Sequence, residues 1–144
     1  MSSTARLLDP SRVRLDLPAD TREGAVETAL ALLRDDPQLA SWDEFRRSLG
    51  PKQVVDLEGS GGSVVLAHGR GPSVKEMTMA AARFSAPSAP RLVFVFAIPS
   101  AMAEEYLRTV GALARICREE AKLAVLLSAP SPEAFADALE EWIA

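Results

Sequence analysis

Leu92-Val93-Phe94-Val95-Phe96-Ala97-Ile98 decides the fold. The run is apolar at every position, so both faces of the strand it would form need cover. Such a strand belongs in the middle of a sheet with helices on each side. Arg91 precedes the run, and Pro99-Ser100 punctuates its end.

Toward the N-terminus, Met77 to Arg83 and Ser63 to Ala67 read as further strands, and Val54 to Leu57 as a weak strand or loop. Val13, Leu15 and Leu17 alternate, which predicts a strand after a short helical turn at Asp9-Pro10-Ser11. Two helices lie between these strands. Ala25, Val26, Ala29, Leu30 and Leu33 recur at helical spacing and predict a helix over 20–34, with Asp20 and Glu23 at capping-box spacing. Ser41 and Glu44 form a second box ahead of Trp42, Phe45 and Leu49, and Gly50-Pro51 is expected to close that helix. The short stretches Gly59-Ser60-Gly61-Gly62 and Ala86 to Pro90 read as turns.

Toward the C-terminus, Tyr106, Leu107, Val110, Leu113, Ala114 and Cys117 predict a long helix over 101–119. Glu104 and Glu105 stand in its first turn, where the helix dipole favours acids. Lys122 to Leu127 fits a strand or a short helix by periodicity alone. Ser131 and Pro132 suit an N-cap and first helical residue, and Phe135, Leu139 and Trp142 mark a final helix. The expected fold is an α/β single-domain sandwich over residues 1–144. Its central mixed β-sheet is flanked by helices on both faces.

Composition narrows the function. With 144 residues, 48% hydrophobic and 25% charged, the chain has an ordinary globular mix and can build one core without disulfides. A net charge of −4 and the absence of a basic stripe argue against nucleic acid as a partner. No run approaches ~18 apolar residues, so no membrane insertion is expected. Met1 to Arg6 has no signal-peptide core, so the expected compartment is cytoplasmic. The lone Cys117 lies on an apolar helix face and reads as a buried structural thiol. With a single histidine, His68, no His/Cys metal cluster is available, and neither metal nor cofactor is expected.

Gly62-Ser63-Val64-Val65-Leu66-Ala67-His68-Gly69-Arg70 resembles the active-site strand of the fructose/mannitol-type and nitrogen-regulatory IIA proteins of the phosphotransferase system (PTS). In that family a glycine precedes an apolar strand that ends at a histidine. Other parts follow in family order: Leu7-Leu8-Asp9-Pro10 with Val13 to Leu17, the helix of Ala25 to Leu33, and Leu92 to Pro99. Tyr106-Leu107 through Leu113-Ala114-Arg115, and Pro132 to Trp142, complete the series. The resemblance implies that Lys122 to Leu127 is helical. Ala67 stands where the family usually has proline. Pro51-Lys52-Gln53-Val54-Val55-Asp56 replaces the family's Arg-Glu pair, and leaves Lys52 as the cationic substitute.

The resemblance implies a phosphohistidine carrier. His68 would accept a phosphoryl group from an HPr-like phosphocarrier protein and pass it to a permease domain or signal with it to a regulated target. Imidazole suits the task because its ordinary pKa near 6.5 leaves it mostly neutral and nucleophilic at pH 7. Arg70 is expected to offset phosphoryl charge if the chain turns at Gly69. Gly69 would bring backbone N–H groups to the oxygens, Ser63 or Ser60 would orient the ring, and Lys52 would add support. Trp42 and Trp142 read as core or interface residues, Trp142 being a candidate homodimer contact. The alternative reading is a non-phosphorylated regulatory protein-binding module on the same fold.

Overall fold

The computed structural model describes residues 7–57, 63–85 and 90–143, so the turn read at 59–62, and all but Pro90 of the one read at 86–90, lie outside the described residues. Five strands are formed among the described residues: β1 (Val13–Leu17), β2 (Val54–Asp56), β3 (Val64–Gly71), β4 (Thr78–Phe84) and β5 (Leu92–Pro99). The helices are α1 (Arg22–Leu30), α2 (Trp42–Arg47), α3 (Ala103–Arg118), α4 (Glu120–Ser128) and α5 (Pro132–Ile143). The sheet order is β1-β4-β5-β3-β2. β5 runs parallel to β3 and antiparallel to β4; β1 is parallel to β4, and β2 antiparallel to β3. The apolar run thus occupies the middle of a mixed sheet with helices on both faces, as its sequence required.

The two faces of β5 differ in bulk. Leu92, Phe94, Phe96 and Ile98 point toward α3, α4 and α5, and each is fully buried. Val93, Val95 and Ala97 point toward α1 and α2, alongside Ala67, Ala80 and Ala82 of the neighbouring strands. Small residues on that face let α1 pack close through Ala25 and Ala29. Each fully buried Phe or Leu on the other face contributes about 1.5–3 kcal/mol. Cys117 is buried in that bulkier core, and burial pushes its thiol up to about 11.

Helix ends depart from the sequence reading at two places. α1 is capped by Thr21, whose hydroxyl accepts from the Gly24 N–H at 2.9 Å, and not by Asp20. Its last turn tightens into a 3-10 turn, Ala31–Leu33. α2 is capped by Ser41 as expected, but it ends at Arg47. Gly50-Pro51 does not close it; these residues open a 3-10 turn, Pro51–Gln53, because proline suits a first helical position. α4 confirms that Lys122 to Leu127 is helical. Ser131 caps α5 through the Ala134 N–H at 3.1 Å.

Arg83, at the end of β4, ties sheet to helix. Its buried guanidinium donates to the carbonyls of Leu126 and Ala129, both at 3.0 Å, at the C-terminal end of α4. It also reaches Asp16, which sits at a bulge in β1 with φ 57. Replacing Arg83 with Leu leaves two buried carbonyls without donors and should cost roughly 2–4 kcal/mol in urea unfolding. Asp16→Asn should cost less than ~1 kcal/mol, because the Asp16 side chain is 69% exposed. Equal losses from the two changes would show that the ion pair, and not the carbonyl cap, is the joint.

Candidate functional site

β3 does not stop at Ala67. It runs on through His68, Gly69 and Arg70 to Gly71, paired residue for residue with Phe96 to Pro99 of β5. The expected turn at Gly69 is absent, because the parallel ladder with β5 holds the backbone extended. Strand side chains alternate between faces. Val64 and Leu66 point toward α3–α5, and Val65 and Ala67 toward α1 and α2. His68 and Arg70 therefore share the α3 face, and Gly69 turns to the α2 face.

Gly69 serves packing. A Cβ there would lie 2.5 Å from the Ser48 hydroxyl and 2.8 Å from a ring carbon of Phe45. The glycine makes room for the C-terminal end of α2, and it frees no turn. Ser48 is itself fixed there by donating its hydroxyl to the Phe45 carbonyl at 2.5 Å.

The His68 ring is held on one side by Tyr106 of α3, at 5.2 Å between centroids and 30° between planes. Tyr106 in turn meets Phe96 edge-on at 5.5 Å. Nδ1 of His68 is buried with no hydrogen-bond partner, so Nε2 is the ring nitrogen left to face outward. Burial lowers the His68 pKa below its ordinary 6.5, and the Arg70 charge lowers it further. The imidazole is thus neutral at pH 7. Burial pushes the Tyr106 phenol up to about 12, so it stays protonated near neutrality.

His68 and Arg70 open into one cleft of about 420 Å³, together with Ser48, Gln53, Tyr106 and Leu107. Ile98 and Ala103, at the end of β5 and the start of α3, complete its lining. Of the candidate site residues read from the sequence, only His68 and Arg70 line this cleft among the described residues. Lys52 is exposed on the 3-10 turn and does not line the cleft. Ser63 precedes β3, roughly 16 Å from His68 at strand spacing, where its carbonyl accepts from the N–H groups of Arg91 and Leu92. It does not orient the ring, and Ser60 lies outside the described residues. Tyr106, Gln53 and Ser48 join the site without having been read from the sequence as site residues. The signal for Tyr106 is its place in the first turn after a central strand; Gln53 and Ser48 carry none.

The chain is similar to known proteins along nearly its whole length. The family model described as "Phosphoenolpyruvate-dependent sugar phosphotransferase system, EIIA 2" matches residues 6–142. A fructose-specific EIIA component of the PTS from Haloferax volcanii is 28% identical over 139 residues, covering 91% of this chain and 90% of that protein. Nitrogen regulatory protein IIA-Ntr from Neisseria meningitidis superposes with a TM-score of 0.65 at 22% identity, covering 92% of this chain and 96% of that one. The mannitol IIA protein of Escherichia coli does so with a TM-score of 0.63 at 16% identity, over 92% and 98%.

The packing at Gly69 is open to a direct check. Gly69→Ala should lower stability by about 1–3 kcal/mol, as overpacking does. Gly71→Ala, whose added Cβ meets nothing within 4 Å, should stay close to the parent protein in the same denaturant titration. A neutral Gly69→Ala would mean that α2 moves aside at no cost.

Proposed function

The chain belongs to the EIIA 2 family of the phosphoenolpyruvate-dependent sugar phosphotransferase system, and from that premise we propose that His68 is its phosphoryl-carrying residue. Family membership places the chain in phosphoryl carriage within that system. The observation that carries the finer reading is the pose of the imidazole: neutral, half-buried, Nδ1 sealed, with Nε2 left for a cleft that also holds Arg70.

The donor would be an HPr-like phosphocarrier protein in the cytoplasm, presenting a phosphohistidine. Its ring, protonated on the second nitrogen, leaves as neutral imidazole with the bonding pair of the broken P–N bond. Nε2 of His68 forms the new P–N bond, and the His68 ring takes over the positive charge with its proton on Nδ1. The phosphoryl group stays labile and can be passed on. Arg70, two residues along the same strand face, offsets charge on the phosphoryl oxygens. The amino end of α3 reaches the cleft at Ala103 and has no side-chain cap at Met102, so its N–H groups add positive potential there. Glu104 and Glu105 in the same turn work against it. The stacked Tyr106 holds the ring in place. The recipient would be a permease domain or a regulated partner protein.

Incubation with phosphoenolpyruvate and the upstream phosphocarriers should add one acid-labile phosphate per chain, and His68→Ala should take up none. An unmodified wild-type mass would remove this reading. A partner captured equally by wild type and His68→Ala would then favour the non-phosphorylated regulatory module.

The lowered pKa makes a separate prediction. Monitored by NMR, the His68 ring should titrate with a midpoint below 6.5. The folded state then binds fewer protons than the unfolded state, so this group's contribution to stability falls as pH drops from 6.5 through the folded midpoint. Phosphate uptake should accordingly fall less between pH 7.5 and pH 6.5 than an imidazole of ordinary pKa would give. A midpoint at or above 6.5 would contradict the neutral-nucleophile arrangement.

A further inference from the structure

The cleft beside His68 contains a second donor that no sequence motif announced. Gln53 ends the 3-10 turn Pro51–Gln53, and its side chain folds back on that turn. Its Oε1 accepts from the Gly50 N–H at 2.8 Å. The contact is close enough that a Cβ on Gly50 would stand 3.0 Å from the same oxygen. This bond fixes which end of the amide is which. Since Oε1 takes the backbone donor, the opposite end of the carboxamide is the NH₂ group. Gln53 is half-buried, lines the cleft with His68 and Arg70, and its Nε2 makes no hydrogen bond among the described residues.

We propose that the Gln53 carboxamide is a phosphoryl-oxygen donor of this site, completing with Arg70 the cradle for a phosphate carried on His68. The inference rests on the phosphohistidine reading above. Three features favour it. The amide is oriented by the 3-10 turn before any ligand arrives, so donating costs little side-chain entropy. Its position is tied to the sheet, because β2 begins at Val54 and pairs with β3 at Ala67, the residue before His68. Finally, Lys52 lies outside the cleft, so Gln53 is the residue of this turn that reaches it. The chemistry is that of a neutral donor. It binds phosphoryl oxygens without adding a second cation, and so leaves the His68 pKa to burial and Arg70 alone.

The test uses the full chain, phosphoenolpyruvate and the upstream phosphocarriers. Gln53→Glu keeps an oxygen for the Gly50 N–H and replaces the donor by an anion. Gln53→Met removes the donor without adding charge. Loss of a hydrogen bond to a charged group corresponds to roughly a ten- to hundredfold effect. Both variants should therefore shift the phosphorylation equilibrium away from His68 by about tenfold or more, the Glu variant further than the Met variant. In the wild-type protein, the Gln53 side-chain NH₂ resonances should move on phosphorylation, while the Gly50 amide stays near its place. This measurement needs no variant to fold. If wild type takes up no phosphate, the phosphohistidine reading fails and this inference with it. If wild type is phosphorylated while both variants match it, or while the Gln53 NH₂ resonances do not move, the assignment of Gln53 is overturned and the carrier reading stands.

Discussion

The period-two alternation of β3 is the constraint from which the site follows. A strand paired along its length cannot choose where a side chain points; its neighbours decide. Because β3 is locked to β5 from Val64↔Leu92 to Gly71↔Pro99, His68 and Arg70 must share a face. The residue between them must face the opposite helix layer. A one-residue slip would send His68 into the Phe45 and Ser48 packing and expose Gly69 at the cleft. The composition of β3 makes such a slip costly, because Leu66, His68 and Arg70 would exchange faces with Ala67, Gly69 and Gly71. The chemistry is thus aimed by the core.

The unequal bulk of the two faces explains why the site lies between helix layers. On the α3 side, Phe96 and Ile98 hold α3 off the end of the sheet, and the gap at its first turn is where the imidazole stacks on Tyr106. On the α2 side, alanines and Gly69 let α2 and the following turn come close. That close approach brings Ser48 and Gln53 round the end of β3 to the cleft. The two layers meet at the C-terminal ends of β3 and β5, and there the sheet leaves an opening. The ring of His68 is supported by one layer, and the proposed oxygen donor is supplied through the other.

Most of the architecture was legible because it follows from burial. The two-sided apolar run, the alternation of Val13, Leu15 and Leu17, and the helical spacing in α1, α3 and α5 each report what a residue must be buried against. The end of β3 was not legible. His68-Gly69-Arg70-Gly71-Pro72 has the composition of a turn, and local chemistry predicts one; eight paired positions with β5 override it. For the same reason the role of Gly69 stays hidden, since a glycine required by a helix distant in sequence looks like a glycine required by the backbone. Lys52 draws attention because it is charged. Gln53 does not, because its role depends on which end of a neutral amide the Gly50 N–H occupies. Long-range packing and amide orientation leave no local trace, and the site is built from both.

A carrier must satisfy two opposed demands, and the cleft is arranged around their balance. The phosphoryl dianion needs enough positive potential to be accepted, but every added cation also deepens the well it must later leave. Among the described residues, one guanidinium, Arg70, lines the cleft, and it also helps to keep the unloaded imidazole neutral. The sealed Nδ1 works in the same direction. With no acceptor beside it, nothing on that side stabilises a positively charged ring, so the unloaded imidazole favours its neutral form. In the proposed carriage, a ring that takes a positive charge only with the phosphoryl group is easy to load and easy to empty. A carboxylate hydrogen-bonded to Nδ1 would stabilise the cation, raise the ring pKa and reduce the fraction that is nucleophilic at pH 7. The unpartnered nitrogen, which elsewhere in a core would count as a defect, suits the neutral imidazole that the proposed carriage needs.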